Sequence, residues 1–335
     1  MKTQLVSLEG KDCSVTDLLV EAIIRKQNHE TLYPSLIKFP EFNFQVINQA
    51  LASNSIALAQ IVGNNDVTEA IVENLDQVVG NIDVEEAAAV SNQAIVSNTK
   101  GVVAVFTADK LEKSGNGTYI CSESFQTIRL NGITQPLCRD EKFFNQPRGA
   151  RCTGVLVGED LVATTKHSLN LRRIDEYLFI FDFTMKSLEI REENIYHGKE
   201  VFREGGTSDW VLVRLARKAP QTRVRTVRTF RELPDEQNVY ILGFPCGLPM
   251  KFGGSALIKN LPGSEGFVAS FDAYQGNSGS PVFAFNDEVV GLVASDPVED
   301  FKFDPARSCC KSNEVALEKW SGDKCIKASE FASHL

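Results

Sequence analysis

The feature that most constrains this fold is a series of short apolar segments that begins after Asn98. Each is five to seven residues long and rich in Val, Ile, Phe and Thr, and residues typical of turns separate them. The segments are residues 102–106, 153–157, 161–165, 177–183, 210–215, 239–244, 266–271, 281–285 and 289–294. No helical pattern intervenes, so the sequence predicts an antiparallel sandwich or barrel.

The part of the chain before residue 98 has a different pattern. From Ser14 to about Ser97, apolar residues recur at helical spacing, for example at Leu18, Ala22 and Ile23. This spacing is typical of amphipathic helices, and four or five of them fit the stretch. The sequence therefore predicts a small helical bundle.

Charge is also distributed unevenly along the 335 residues. Residues 1–100 hold 6 Lys and Arg against 13 Asp and Glu, whereas the remainder holds 29 against 31. These differences predict two domains, a helical accessory or pro-region over 1–97 and a β domain over 98–335. The formal net charge of -9 argues against nucleic-acid binding, which needs clustered Lys and Arg.

Membrane, export and metal signals are absent from the sequence. No run of 18 apolar residues occurs, so we expect no membrane-spanning helix. Charged residues interrupt the first 20 positions, although a chain whose export signal had been removed would look the same. The 8 cysteines match no metal-binding pattern, so disulfides are favoured, and we expect no metal or cofactor.

A serine flanked by glycines stands in the C-terminal third, in Gln275-Gly-Asn-Ser-Gly-Ser-Pro281. A nucleophilic serine needs an exposed hydroxyl on a tight turn whose N–H groups face the developing oxyanion, and small neighbours permit that approach. By itself the motif fits an ordinary hairpin turn equally well.

Two further residues complete a catalytic pattern. His167 follows the apolar segment 161–165, where a neutral imidazole is suited to act as a base, and Asp209 opens the segment 210–215, where its carboxylate can orient that imidazole. Alone, each has a common structural explanation. Together with Ser278 they occur in the order His, Asp, Ser, which excludes the α/β-hydrolase order.

These motifs resemble the trypsin-like serine endopeptidases, in particular the bacterial branch that includes the glutamyl endopeptidases. The matching stretches are, in order, CTGVLVGEDLVATTKH, SDWVLVRL, YILGFPCGLP and DAYQGNSGSPVF. The likeness covers roughly residues 98–330. It implies a mainly β fold, a chymotrypsin-like double antiparallel β-barrel preceded by a small α-helical N-terminal region.

The resemblance also implies a role for each matching residue. Ser278 is the expected nucleophile, His167 the general base and then acid, and Asp209 its orienting partner. The backbone N–H groups of Gly276 and Ser278 form the expected oxyanion hole, and the expected partner is a protein or peptide substrate.

One departure from the family concerns activation. The aspartate that commonly precedes the serine in mammalian members is Asn277 here, so no carboxylate can pair with a newly cut N-terminus. If residues 1–97 are an inhibitory pro-segment of a zymogen, we expect them to pack on the protease domain and cover its cleft. The alternative is that they bind a partner.

Specificity depends on two candidate substrate-binding residues. Asp272 lies six residues before Ser278, where trypsin-like enzymes hold the carboxylate that receives Lys or Arg. Glutamyl endopeptidases usually carry a histidine in the segment where this chain has Val293 and Ala294, which counts against a preference for Glu. We expect cleavage after Lys or Arg, while a purely structural role for Asp272 stays open.

The cysteines give the remaining expectations. In bacterial members two cysteines flank the insertion before the histidine, which implies a Cys138–Cys152 disulfide, and Cys325 is expected to pair with Cys309 or Cys310. Residues 315–335 predict a helix or a tail held by Cys325. Disulfides favour a secreted or periplasmic protein, with reduced thiols as the alternative.

A second function class remains open. The chain also fits a catalytically silent, protease-like binding or interaction protein, because a fold does not guarantee activity. The complete set of His167, Asp209, Ser278 and Gly276 favours the enzyme.

Overall fold

The computed structural model describes residues 5–8, 11–14, 93–185, 188–235, 237–261, 266–271, 273–295, 299–313 and 322–335. The chain divides into two compact units, one made of residues 1–80 and 86–93 and the other of residues 81–85 and 94–335.

The described strands of the first unit form one hairpin. Strands β1 (Leu5–Leu8) and β2 (Lys11–Ser14) pair antiparallel, with Leu5 opposite Ser14. The predicted helical pattern starts at Ser14, the last residue of β2. The predicted helices between residues 15 and 92 lie outside the described residues.

The elements from residue 93 to residue 215 are α1 (Gln93–Thr99), β3 (Val102–Thr107), β4 (Leu111–Gly115), β5 (Thr118–Cys121), β6 (Glu123–Ser124), β7 (Thr127–Leu130), β8 (Ile133–Pro136), β9 (Pro147–Arg148), β10 (Cys152–Gly158), β11 (Leu161–Thr165), β12 (Tyr177–Phe181), β13 (Ile190–Arg191), β14 (Ile195–Glu204) and β15 (Trp210–Leu215). The later elements are β16 (Asn238–Gly243), β17 (Lys251–Leu257), β18 (Lys259–Asn260), β19 (Gly266–Ala269), β20 (Pro281–Ala284), β21 (Val289–Ser295), β22 (Phe301–Asp304), β23 (Cys309–Ser312), β24 (Asp323–Lys327) and α2 (Ser329–Ala332).

Six strands close into the first barrel, in the order β10-β11-β15-β14-β12-β3, and each pair is antiparallel. Its core contains Val162 and Val213, which are fully buried. In the pairing of β11 with β15, Thr165 lies opposite Trp210. The residues just after β11 and just before β15 therefore meet at one edge of the barrel.

The second half of the unit is a seven-stranded sheet in the order β17-β16-β20-β21-β24-β19-β18. Its two outermost strands, β17 and β18, are separated in sequence only by Ile258. Because one residue joins the two edges, the sheet must roll into a barrel-like shape. The predicted double antiparallel β-barrel is therefore confirmed, and within it each of the nine apolar segments contains a strand.

The disulfide corrects the predicted pairing. Cys138 is bonded to Cys309, with Cα atoms 5.0 Å apart, so the Cys138–Cys152 pairing is wrong. Cys152 instead packs in the core of the first barrel, and burial raises the pKa of its thiol to about 11. Cys325 and Cys310 are also free and buried, which rules out the second predicted pairing.

The C-terminal segment differs from its prediction as well. Residues 323–327 form β24, which pairs with β19 on one side and β21 on the other. Cys325 is thus held by strand pairing rather than by a disulfide. Residues 329–332 form the single turn of α2, which buries Phe331. Residues 314–321, where the helical pattern of this segment lies, are outside the described residues. None of the described helices is long and apolar enough to cross a membrane.

Candidate active site

His167 lies in the 3₁₀ turn Lys166–Ser168, which directly follows the fully buried strand β11. The Lys166 ammonium donates hydrogen bonds to the backbone carbonyls of Gly205 and Gly206, the second at 2.9 Å. The Lys166 N–H donates to the Asp209 carbonyl at 3.2 Å. These bonds tie the histidine turn to the loop that leads into β15.

Asp209 holds the imidazole from two directions. Its Oδ2 atom is 2.6 Å from His167 Nδ1, and its Oδ1 atom accepts the His167 backbone N–H at 3.1 Å. Burial alone would raise the pKa of Asp209, but the hydrogen bonds from His167 outweigh it and hold this pKa below the usual value. The carboxylate is therefore charged at neutral pH.

Ser278 lies on the other side of the imidazole, in the turn that precedes β20. Its Oγ atom is 3.1 Å from His167 Nε2. The side chain of His167 is 49% exposed, so a substrate can reach the pair. The arrangement allows a proton to pass from the serine hydroxyl to an imidazole whose far nitrogen is fixed by a carboxylate.

Gly276 shapes the turn beside the serine. The Asn277 N–H donates to the Tyr274 carbonyl at 2.9 Å, and Gly276 in the third position of this turn has φ +103°. That conformation suits glycine, and a Cβ there would lie 2.4 Å from the Phe244 carbonyl oxygen. Within the described residues, neither the Gly276 N–H nor the Ser278 N–H has a hydrogen-bond partner, so both are available to an oxyanion.

Asn277 is buried beneath this turn and bonded locally. Its Oδ1 atom accepts a hydrogen bond from Ser280 Oγ at 3.2 Å, and its side chain is packed against Gly243. The amide therefore supports the turn from within.

Of the two predicted substrate-binding residues, the structure describes only Val293. Asp272 lies outside the described residues. Val293 lies in β21, where its backbone exchanges hydrogen bonds with Gly279 and Ser280 at 2.8 and 2.9 Å. Its side chain is buried in the apolar core of the second barrel. The strand of Val293 thus stabilises the serine turn through backbone hydrogen bonds.

Two residues that contact the site were not found from the sequence. Lys166 looked like an ordinary charge beside a histidine, and its contacts depend on a loop 40 positions away. Thr153 is a polar residue in the otherwise apolar, buried strand β10. A polar residue in such a strand could have indicated a hydrogen bond to the site. In the described part of the chain, no group of three or more His, Cys, Asp and Glu side chains is arranged to hold a metal ion.

The fold and the contacts of His167 fit one class, the serine hydrolases with a double antiparallel β-barrel. Residues 152–292 match the family model of the trypsin-like peptidase domain, and this span includes His167, Asp209 and Ser278. This part of the chain therefore matches a trypsin-like peptidase domain, and the match supports a serine endopeptidase. No curated protein sequence matches the chain significantly.

Several solved protease structures are similar to the chain at low identity. The active form of the Rv3671c protease from M. tuberculosis is 15% identical, with 73% of this chain and 84% of that chain covered and a TM-score of 0.44. The serine endoprotease from Yersinia pestis is 14% identical, with coverages of 72% and 64% and a TM-score of 0.43. The Vibrio cholerae VesB protease is 16% identical, with coverages of 70% and 62% and a TM-score of 0.43.

Proposed function

We propose that the protein hydrolyses peptide bonds with Ser278 as nucleophile, His167 as general base and acid, and Asp209 as the residue that orients His167. The observation that carries this proposal is the position of the imidazole, which lies 2.6 Å from the Asp209 carboxylate and 3.1 Å from the Ser278 hydroxyl.

The order of contacts supports one assignment of the protons in the proposed triad. Because Asp209 Oδ2 accepts at Nδ1, that nitrogen carries the proton and Nε2 presents its lone pair to Ser278 Oγ. As Oγ bonds to the substrate carbonyl carbon, Nε2 takes the hydroxyl proton. Asp209 stabilises the resulting imidazolium without taking the proton itself.

The Gly276 and Ser278 N–H groups bind the carbonyl oxygen as it becomes an oxyanion. The imidazolium then gives its proton to the leaving amine, the C–N bond breaks and an acyl-enzyme remains on Oγ. Water attacks the acyl carbon while Nε2 takes its proton, and return of that proton to Oγ releases the new carboxyl group.

For specificity, we propose that Asp272 receives a Lys or Arg side chain. Its place six residues before Ser278 supports this, as does an aliphatic side chain at Val293 where a glutamyl endopeptidase carries histidine. Peptides that differ only in Lys, Arg or Glu before the cleaved bond test it. The Asp272→Asn variant is expected to lose the preference for a basic residue.

Residues 1–97 are proposed as a pro-segment or partner-binding module. Deleting them and comparing the initial rate of peptide hydrolysis separates the two roles. A pro-segment predicts a faster enzyme after deletion, whereas unchanged activity in a folded product favours the partner-binding module.

We also propose a secreted or periplasmic location. The Cys138–Cys309 disulfide supports it, because disulfides persist mainly in oxidising compartments. Alkylation of thiols in freshly broken and fractionated cells tests this: Cys138 and Cys309 are expected to be protected, and labelling of both would contradict the proposal.

Peptide hydrolysis by site variants tests the proposed mechanism. Ser278→Ala and His167→Ala are each expected to lose at least about 10⁴-fold in kcat. Ser312→Ala, a matched control whose hydroxyl bonds to Glu141, is expected to retain the wild-type rate. If the wild type is folded but inactive, the result favours the alternative that the chain is a catalytically silent, protease-like binding protein. If Ser278→Ala retains activity, the nucleophile is misassigned.

A further inference from the structure

Thr153 connects the first barrel to the nucleophile turn through both its backbone and its side chain. It lies in β10 and is fully buried. Its backbone N–H donates to the Ser278 carbonyl at 3.0 Å, and its Oγ1 donates to the Gly276 carbonyl at 2.9 Å. One residue therefore holds the carbonyls of both residues whose N–H groups face the proposed oxyanion.

The direction of the Thr153 hydroxyl is fixed by its other contact. Oγ1 accepts the Phe244 backbone N–H at 3.1 Å, and an N–H can only donate. The hydroxyl hydrogen is therefore left for Gly276. The Thr153 carbonyl accepts from Thr164 Oγ1 at 2.6 Å, which fixes the strand at the same point.

These bonds determine the orientation of a peptide plane. The plane between Gly276 and Asn277 is held at its oxygen by Thr153 and at its N–H by the Tyr274 carbonyl. Because a peptide unit is planar, two such contacts leave it little freedom to flip. The Gly276 N–H belongs to the preceding peptide plane, whose Gln275 carbonyl accepts the Cys246 N–H at 2.5 Å. Because both planes that meet at the Gly276 Cα are held, the Gly276 N–H keeps its direction.

We propose that Thr153 is a positioning residue that keeps the oxyanion hole assembled. This inference rests on the proposed function, because it concerns the hole that the serine mechanism uses. Thr153 and the buried Asn277–Ser280 hydrogen bond hold the nucleophile turn in one conformation. In this role they replace a salt bridge to a newly formed N-terminus.

The test compares Thr153→Val, which keeps the shape and removes the hydroxyl, with Thr153→Ser, which keeps the hydroxyl. Oxyanion donors act mainly in the transition state, so Thr153→Val is expected to lower kcat about 10- to 100-fold and leave KM within about twofold. Thr153→Ser is expected to stay within about threefold of the wild type.

Thr99→Val is the matched control, because Thr99 is also buried and its hydroxyl donates to a carbonyl, that of Val96, at the end of α1. It is expected to keep kcat. If Thr153→Val does not fold, Thr153→Ala replaces it, with the hydroxyl removed and the side chain smaller. A folded Val or Ala variant with wild-type kcat overturns the inference, as does failure of Thr153→Ser to restore the rate.

A second measurement separates this inference from the proposed function. Hydrogen exchange is followed in peptides that cover residues 274–279, and Thr153→Val is expected to exchange faster there than the wild type and Thr99→Val. This result does not depend on activity. A folded wild type that is inactive contradicts the proposed function alone. Equal exchange in the wild type and in Thr153→Val contradicts the role of Thr153.

Discussion

Reduction of the Cys138–Cys309 disulfide is expected to lower the free energy of unfolding substantially. The two cysteines are 171 positions apart, and the loop they close contains His167, Asp209 and Ser278. In the chain-entropy account, a cross-link over a loop of this length removes about 5 kcal/mol of entropy from the unfolded chain. Native disulfides more often contribute about 2–4 kcal/mol, so a loss between about 2 and 5 kcal/mol is expected.

Urea unfolding of the oxidised and the reduced protein measures this loss, with the unfolding slope fitted for each form. The double variant Cys138→Ala/Cys309→Ala is the control, because it is expected to match the reduced wild type and to ignore the reductant. Cys121→Ala, which removes a free thiol, is expected to remain sensitive to reductant. Equal midpoints for oxidised and reduced wild type would refute the reasoning. A peptide map that joins Cys138 to Cys152 would refute the pairing.

Three further perturbations address the site. Asp209→Asn is expected to lower kcat by up to about 10⁴-fold in steady-state hydrolysis, because the amide favours the wrong imidazole tautomer; a loss below tenfold would contradict this role. Since the pKa of Asp209 is lowered on folding, its contribution to stability is present at neutral pH and is lost as the pH falls below about 4. Acid titration of stability should therefore be flatter for Asp209→Asn than for the wild type, and superimposable curves would contradict the shift. Gly276→Ala is expected to lower kcat at least 100-fold and cost about 1–3 kcal/mol in urea unfolding, because its Cβ meets the Phe244 carbonyl; wild-type kcat would disprove this contact. Lys166→Met is expected to lower the free energy of unfolding by about 1 kcal/mol and kcat by a few-fold, because the histidine turn loses its bonds to Gly205 and Gly206; no change in either would show that these bonds are unimportant.

Most of the strands that the sequence predicted are buried on both faces, although β19 alternates between buried and half-buried positions. β11 and β15 are almost entirely buried, so each appears as a continuous apolar run bounded by turns. β14 (Ile195–Glu204) was missed because most of its exposed positions are charged and interrupt the apolar run. β24 was missed for a related reason, since it begins with the buried Asp323.

The site could be predicted where it depends on local sequence. His167, Asp209 and Ser278 each stand beside a recognisable strand or turn, and the pairing of β11 with β15 brings two of them to one edge. The disulfide could not be predicted, because the choice between Cys152 and Cys309 for Cys138 depends on which side chain the first barrel buries. That is a property of tertiary packing.

The central claim is that Ser278 is a nucleophile activated by His167. Intact-mass analysis after treatment with a fluorophosphonate tests it directly, with Ser278→Ala and Ser312→Ala treated in parallel. The account predicts one adduct on the wild type and on Ser312→Ala, located by peptide mapping at Ser278, and none on Ser278→Ala. An adduct that persists in Ser278→Ala, or a folded wild type and a folded variant lacking residues 1–97 that both stay unmodified, would contradict it.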